Sequence, residues 1–393
     1  MNIRNQFPQL NQSNVVYLDS AASSLTPEPV LVAMDEYYRG DRANIHRGVY
    51  EWSARATAQF ENARQIVARF LGCFKEEIIV TRGATDGLNM IAELLEQVVE
   101  PGQNIVLPIS EHHSNMLPWR ELARKQDLEI RYVELRDETI YVEDVCTLID
   151  DQTAIVAVAQ VSNVLGNILD VKSIAECAHQ HGAQIVVDGC QAVAHMPVDV
   201  EELGVDWYVF SGHKVYGPTG IGIIYGDRDL LSQLRPVRTG GDMIKRVSRD
   251  SYEPAVGVAR FEPGTPPIAE MIGLGVALEW IQEIGWKEII EHEQMVVGYL
   301  LDQLRDISSV RVLGPQDRTG VVSFVVEGLD PMDLAFFLDS AGVCVRFGYH
   351  CAEPLAAELG VSGSTRVSLG VYNAKEDIDR FITELRYQLT KRI

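Results

Sequence analysis

The sequence lacks features that define several large classes of proteins. It has no run of about 20 apolar residues that would span a membrane, and residues 1–8 contain no apolar signal core. Its six cysteines form no CxxC pair, and no third ligand stands at zinc-like spacing from His112 and His113. The glycines at 217–222 lead into a strand, so they do not form a dinucleotide-binding fingerprint. We expect reduced thiols, a cytoplasmic location, no metal and no membrane partner.

Basic residues are also scarce. The 393 residues include 34 Lys and Arg against 56 Asp and Glu, a formal net charge of −22. This charge opposes sequence-independent binding to nucleic acid or to an anionic membrane, but it does not affect a small zwitterionic substrate. With 46% hydrophobic residues and no low-complexity tract, the chain is long enough for a large core and two domains.

Short apolar runs alternate with amphipathic stretches through the first two thirds of the chain. The pattern predicts strands at about 78–81, 105–108, 130–133, 154–159 and 185–188, separated by helices at about 85–98, 115–125, 142–148 and 171–181. Such alternation is typical of a doubly wound α/β domain with a mainly parallel sheet. Ligands bind these sheets at the carboxyl ends of the strands, so the polar residues that follow each strand are the candidates for function.

The last third of the chain has a different pattern. Two long helices, at about 268–284 and 287–306, precede a mixture of strands (310–313, 320–327, 343–346 and 365–369) and helices (331–341 and 375–391). We therefore predict a large α/β domain over residues 15–284 and a smaller C-terminal α+β domain over residues 285–393. Residues 1–14 are expected to pack on the smaller domain.

A polar turn with one lysine lies between two apolar runs, 207–210 and 221–225. A lysine held between buried strands loses part of its hydration, which favours the neutral amine and makes it a nucleophile toward carbonyl groups. Ser211 and His213 stand beside Lys214 as anion donors. An isolated lysine in such a turn is more often a surface residue, so the residues at the neighbouring strand ends decide between the two readings.

Those strand ends form a coherent set. Residues 83–85 make a glycine-containing turn with a hydroxyl, Thr85, at a helix N-terminus, which suits a phosphate. His112 follows the second strand and can stack on a flat ring. Asp188 ends a fully apolar strand, 26 residues before Lys214. A lysine, a carboxylate and a phosphate-binding helix terminus are the groups that pyridoxal phosphate (PLP) requires.

The C-terminal part contributes a second candidate site. Cys351 lies in a loop after a predicted strand, close to His350 and Arg346, and positive neighbours favour the reactive thiolate. Arg366 lies at the start of the strand predicted at 365–369, and its planar guanidinium group is a candidate for binding a carboxylate. A buried cysteine near a helix cap and a surface ion pair are the alternatives at this point.

Taken together, these motifs resemble those of the class V, fold-type I PLP-dependent enzymes, and within them the group II, SufS-type cysteine desulfurases. The resemblance runs nearly end to end, and the lysine and cysteine stretches are its most specific parts. It is carried by residues 18–22, 44–48, 81–83, 111–115, 161–166, 188–191, 211–220, 263–265 and 346–355.

The resemblance implies a role for each cofactor-binding residue. Lys214 would hold PLP as a Schiff base and move the α-proton of the substrate. Asp188 would pair with the pyridine nitrogen, Gln191 would bond the ring hydroxyl, and His112 would stack on the ring. Thr85, Ser211 and His213 would bind the phosphate. Thr265 would also bind it, from the other subunit of a homodimer.

The resemblance also implies L-cysteine as the substrate. Arg366 and Asn163 would hold its carboxylate, with Arg346 as a further substrate-binding residue. Cys351 would attack the substrate sulfur, leaving a persulfide and releasing alanine. A sulfur-acceptor protein would then receive the sulfur for iron–sulfur cluster or other sulfur-requiring biosynthesis.

Two departures from the family pattern and several alternative activities remain open. Tyr349 stands where the family often has histidine, and Ala84 stands where it has threonine. A selenocysteine lyase, a cysteine sulfinate desulfinase or a cysteine or cystine lyase would use the same cofactor with Cys351 dispensable. A sulfur-relay scaffold without a cofactor is the non-enzymatic alternative.

Overall fold

The computed structural model describes residues 3–391 and is built around a seven-stranded sheet. The strands are β1 (Val16–Tyr17), β2 (Ile78–Thr81), β3 (Asn104–Pro108), β4 (Glu129–Val133), β5 (Thr153–Ala159), β6 (Gln184–Asp188), β7 (Trp207–Ser211), β8 (Gly222–Gly226), β9 (Ile244–Val247), β10 (Tyr252–Pro254), β11 (Val310–Val312), β12 (Val321–Val326), β13 (Val343–Cys344), β14 (Arg346–Gly348) and β15 (Ser364–Ser368). The α-helices are α1 (Pro8–Gln12), α2 (Glu28–Glu36), α3 (Glu51–Leu71), α4 (Ala84–Leu95), α5 (Leu117–Gln126), α6 (Val142–Thr147), α7 (Val171–Gln180), α8 (Val200–Leu203), α9 (Arg228–Gln233), α10 (Ile268–Ile284), α11 (Trp286–Arg305), α12 (Pro331–Ser340), α13 (Glu353–Glu358) and α14 (Lys375–Thr390).

The large sheet has the strand order β2-β8-β7-β6-β5-β3-β4. Strands β7, β6, β5, β3 and β4 are parallel to one another, whereas β8 runs antiparallel to both β7 and β2. Strands such as β2 and β7 are buried along their whole length, as expected for a sheet covered by helices on both faces. The predicted α/β class with a mainly parallel sheet is confirmed.

The direction of the strands brings the candidate residues to one edge. Strands β3, β5, β6 and β7 end at the same side of the sheet because they are parallel. The end of β2 joins them, since Thr81 and Ser211 both pair with Gly222 of β8. The phosphate-binding turn after β2 therefore lies next to the lysine turn after β7, although about 130 residues separate them in the sequence.

A four-stranded antiparallel sheet, in the order β11-β12-β15-β14, forms the C-terminal part. Helices α11, α12 and α14 supply apolar side chains to its core. Strand β1 pairs with β13, so Val16 and Leu18 are buried in this core as well. Arg4 forms an ion pair with Asp377 of α14 at 2.8 Å, whereas Phe7 packs on Trp280 of α10. The N-terminal segment thus contacts both parts, and residues 1 and 2 lie outside the described residues.

One predicted element is divided in the structure. The strand expected at 343–346 consists of β13, which pairs with β1, and β14, which pairs with β15. The chain changes strand partners at Val345, between the two-stranded β1-β13 sheet and the edge strand of the four-stranded sheet. No helix within residues 3–391 combines the length and apolar character that crossing a membrane requires.

Candidate active site

A cavity of about 420 Å³ opens at the carboxyl edge of the large sheet, against the C-terminal part of the chain. This volume suits a small organic ligand. All but two of the predicted site residues line it, from both parts of the molecule: Thr85, His112, Asn163, Asp188, Ser211, His213, Lys214, Arg346, Cys351 and Arg366. The two exceptions are Gln191 and Thr265.

Lys214 ends a short 3₁₀ turn that follows β7. The turn is held by Ser24, whose backbone N–H donates to the carbonyl oxygen of His213 at 2.9 Å and whose hydroxyl accepts from the backbone N–H of Tyr216 at 2.7 Å. Tyr216 has a left-handed backbone with φ of 64°, and its buried side chain secures that conformation. The half-buried lysine is therefore carried by a rigid support.

Asp188 is the last residue of β6 and is buried in the wall of the cavity. Its Oδ1 accepts a hydrogen bond from the backbone N–H of Cys190 at 2.9 Å. Gly189 allows the ring of Tyr208 to pack against the backbone there, because a Cβ at that position would lie 2.1 Å from the ring. Gln191 does not line the cavity itself, but its Nε2 donates to the carbonyl oxygen of Ala21, which does, at 2.9 Å.

The amino terminus of α4 forms the anion-binding side of the cavity. The backbone N–H of Ala84 donates to the hydroxyl of Ser211 at 2.8 Å, which ties the helix start to the end of β7. The hydroxyls of Thr85 and Ser114 lie 2.7 Å apart. Sequence reasoning did not select Ser114, although it stands within the polar run after β3. These hydroxyls and helical N–H groups suit a phosphate.

Two histidines in the cavity wall are neutral at physiological pH. Burial lowers the pKa of His112 to about 4, and the positive charge of Lys214 adds to the effect. The pKa of His213 is also lowered to about 4, for the same two reasons. Because Nδ1 of His112 accepts a hydrogen bond from the backbone N–H of Ser114, the neutral ring carries its proton on Nε2. A neutral ring at this place suits stacking against a flat ligand.

Arg366 provides a buried positive charge on the C-terminal side. Its Nη1 donates to the carbonyl oxygen of Asn163 at 2.9 Å, and its Nη2 donates to Asp19 Oδ1 at 3.3 Å. Burial lowers the pKa of Arg366 to about 10, yet the group remains charged at neutral pH. Asp19 also accepts from Arg346 at 2.9 Å, and sequence reasoning did not assign it a role.

Cys351 is exposed in a loop between β14 and α13. Both His350 and Cys351 have left-handed backbones, with φ of 52° and 57°, which is uncommon for residues other than glycine. Their carbonyl oxygens are bound across the cavity: that of His350 accepts from Asn163 Nδ2 at 2.8 Å, and that of Cys351 accepts from the N–H of His113 at 2.7 Å. The strained loop is thus held against the large sheet.

Thr265 lies outside the cavity within the same chain. It is exposed in a separate groove together with Tyr37, Arg42 and Glu270. The structure therefore separates this residue from Lys214 in one subunit, as the predicted contribution from a second subunit requires.

The cavity fits PLP in its polar groups as well as in its size. Two buried nitrogen atoms in its wall, Nε of Arg366 and Nδ1 of His350, have no hydrogen-bond partner among residues 3–391. Buried polar atoms are rarely left without partners, so these two indicate a polar ligand. A lysine, a carboxylate on the next parallel strand and a hydroxyl-lined helix terminus together define a PLP-dependent enzyme.

Comparisons with known proteins agree with this class. A family model described as Aminotransferase class-V matches residues 16–381. A probable cysteine desulfurase from Halalkalibacterium halodurans is 45% identical over 384 residues, which cover 96% of this chain and 95% of that protein. The apo structure of a cysteine desulfurase from Thermococcus onnurineus NA1 matches with a TM-score of 0.96 at 40% identity, covering 100% of this chain and 98% of that one. The cysteine desulfurase CsdA (S-sulfonic acid) from Escherichia coli matches with a TM-score of 0.93 at 36% identity, covering 98% and 97%.

The chain belongs to the class V aminotransferase family of PLP-dependent enzymes. Within that family it belongs with the cysteine desulfurases. The predicted family, fold class, enzyme class and cofactor are confirmed, whereas the group II, SufS-type subdivision stays a prediction.

Arg366→Lys is expected to weaken substrate binding without loss of the cofactor. Lysine keeps the charge but not the planar fork, so the KM for L-cysteine should rise roughly 10- to 100-fold. Steady-state kinetics measures the change, and the visible absorbance of bound PLP serves as the check on folding. Arg311→Lys, at an exposed ion pair with Glu138, is the matched control. An unchanged KM would remove Arg366 from the substrate site.

Proposed function

We propose that this chain takes sulfur from L-cysteine, releases alanine and retains the sulfur as a persulfide on Cys351. The observation that carries the proposal is the shared cavity of Lys214 and Cys351. These residues come from different parts of the chain, yet they line one space together with Asp188 and Arg366. A thiol in reach of a PLP site provides a nucleophile for the substrate sulfur.

We assign the residues that hold the cofactor and the substrate from their positions. When bound, PLP withdraws electrons from the α-carbon of an amino acid. Lys214 would hold the cofactor covalently and Asp188 would face its ring nitrogen. Thr85, Ser211 and His213 would bind the phosphate near the amino terminus of α4, and Gln191 stays a predicted ligand of the ring hydroxyl. Arg366, Asn163 and Arg346 lie at the opposite side, where the carboxylate of the substrate would bind.

The chemical step is divided between a lysine and a cysteine. Nζ of Lys214 would be the group that accepts the α-proton and returns a proton to carbon. Sγ of Cys351, as the thiolate, forms a bond to the substrate sulfur as the Cβ–S bond breaks. The electron pair of the broken bond remains on the substrate carbon, which takes up a proton, and alanine leaves. The sulfur stays on Cys351 at the oxidation level of a persulfide.

A homodimer is part of the proposal. Thr265 lies away from the cavity of its own chain, in a groove that also exposes the ring of Tyr38, and further large apolar side chains are exposed, among them Val49, Trp52 and Val256. Exposed apolar groups of this size are typical of a surface covered by another protein. A second copy would cover them and bring its Thr265 to the phosphate side of the cavity.

The destination of the sulfur follows from the exposure of Cys351. A persulfide at an exposed cysteine is accessible to a sulfur-acceptor protein, for iron–sulfur cluster or other sulfur-requiring biosynthesis. The six cysteines are free, which favours a reducing, cytoplasmic location.

The product assay tests the proposal against its alternatives. With L-cysteine and a reducing thiol, we expect alanine and sulfide in equal amounts. Without the thiol, we expect a single turnover that leaves one labile sulfur on each chain. A selenocysteine lyase or a cysteine sulfinate desulfinase would turn over L-selenocysteine or L-cysteine sulfinate faster than L-cysteine. A cysteine or cystine lyase would release pyruvate instead of alanine, and either result would contradict the proposal.

A further inference from the structure

Glu111 is a buried carboxyl group that has no part in the roles assigned above. It follows β3, directly before His112, and only 2% of it is exposed. Its Oε1 accepts a hydrogen bond from the backbone N–H of Ala159 at 2.8 Å, and its Oε2 accepts one from Nδ2 of Asn115 at 2.6 Å. Ala159 ends β5 and pairs with Asp188 of β6. The carboxyl group therefore joins the His112 loop to the strand beside Asp188.

No cation among the described residues balances this carboxyl group. Among residues 3–391, Glu111 has no ion pair with lysine, arginine or histidine, and the charge that acts on it is the negative one of Asp188. Burial raises the pKa of Glu111 to about 8, even though the bonds from Asn115 and Ala159 favour the ionised form. A buried ionisable group without a counter-ion destabilises the fold. The position of Glu111 directly beside the active-site residue His112 therefore indicates a functional role.

The hydrogen bonds around Asn115 have a fixed direction. Nε1 of Trp119 can only donate, and it donates to Oδ1 of Asn115 at 3.0 Å. Asn115 must then present its Nδ2 to Glu111. Asn115 and Trp119 are completely buried, so solvent does not supply a substitute partner. The arrangement fits a carboxylate at position 111, which accepts at both oxygens, and does not fit an amide.

We propose that Glu111 is a positioning residue for the desulfurase reaction. Its carboxylate fixes the loop of His112 relative to the ends of β5 and β6, and so sets how His112 and Asp188 hold the cofactor ring. Glu111 does not line the cavity, and it acts through those two residues. The inference rests on the proposed function, because the placement of these groups matters to catalysis only if the ring lies between them.

The first test is Glu111→Gln, measured above pH 8, where the carboxylate form of the wild type prevails. The new side-chain NH₂ group would face either the backbone N–H of Ala159 or the Nδ2 of Asn115. Two hydrogen-bond donors that face each other cannot form a hydrogen bond. We expect kcat to fall roughly 10- to 100-fold, as for a small misplacement of reacting groups. KM should stay within about threefold. The visible circular dichroism of bound PLP, which reports how the ring is held, should change in intensity or sign.

A second substitution should rescue the first. Trp119→Phe removes the bond that orients Asn115, so Asn115 can turn and offer its Oδ1 to the amide of the Glu111→Gln side chain. The double variant Glu111→Gln/Trp119→Phe should therefore recover kcat by about tenfold over Glu111→Gln, together with the dichroism of the wild type. Trp119→Phe alone retains the Glu111 bonds and sets the reference, and Glu134→Gln, at an exposed position, is the matched control.

The outcomes separate positioning from simple stabilisation. Rescue of both kcat and dichroism supports the proposal. A Glu111→Gln variant with lowered thermal stability but unchanged kcat and dichroism overturns it, and so does a double variant no better than the single one. If Glu111→Gln does not fold, the double variant decides, and a kcat within about threefold of Trp119→Phe supports the proposal. If the wild type binds PLP but does not desulfurate cysteine, the proposed function fails, while the dichroism still tests the positioning.

Discussion

Cys351→Ala is expected to abolish persulfide formation from L-cysteine while PLP stays bound. The side chain lies in an exposed loop and contributes its thiol, rather than packing, to the cavity. Removing a nucleophile of this kind should lower sulfide production by about 10³-fold or more. Absorbance spectra would show the bound cofactor, and mass spectrometry after a single turnover would show whether the protein carries added sulfur.

Cys344→Ala is the matched control for that experiment. Cys344 lies in β13, seven positions before Cys351, and burial together with nearby carboxylates raises its pKa, so it is a poor nucleophile. The control should desulfurate cysteine at the wild-type rate. Full alanine output from Cys351→Ala would instead favour a selenocysteine lyase or a sulfinate desulfinase, in which the cysteine is dispensable.

Lys214→Ala is expected to cause the largest loss of activity. The substitution removes both the covalent attachment of PLP and the amine that moves the α-proton, so turnover should fall at least about 10⁴-fold. The rigid turn after β7 should survive, because Ser24 bonds to its backbone and not to the lysine side chain. Borohydride reduction followed by peptide mapping would locate the modified lysine in the wild type.

Lys172→Ala, at an exposed position in α7, provides the comparison for that loss. It should retain full activity and the same reducible adduct. A yellow, active Lys214→Ala protein, or an adduct mapped to another lysine, would contradict the assignment. A protein that binds no PLP in either form would favour the sulfur-relay scaffold.

Sequence reasoning anticipated most of the architecture because the relevant signals are local. The run Ile78–Thr81 forms β2 within the predicted bounds, and Ile268–Ile284 forms α10 within its own. The periodicity and the length of an apolar run determine such an element when the element is buried on both faces. The strand at 343–346 was less predictable, since its division depends on β1, a partner about 330 residues away in the sequence.

Contacts between residues that are far apart in the sequence were the part of the site that was harder to predict. No spacing rule indicated that Asp19 would accept bonds from both Arg346 and Arg366, or that Gln191 would bond to Ala21. The cysteines that looked scattered include a close pair, because Sγ of Cys177 lies 4.0 Å from the carbonyl oxygen of Cys146 where α6 meets α7. These contacts result from the packing of whole helices and strands.

The sequence by itself determined the α/β class, the lysine turn, the strand-end carboxylate and the membership of a PLP-dependent family, because each depends on neighbouring residues or on short motifs. Only the tertiary structure decided which of these groups share one cavity. Parallel strands bring their carboxyl ends to a single edge, and the C-terminal sheet carries Arg366 and Cys351 across to it. The burial that lowers the pKa of His112 and His213, and that raises the pKa of Glu111, exists only once that edge is covered.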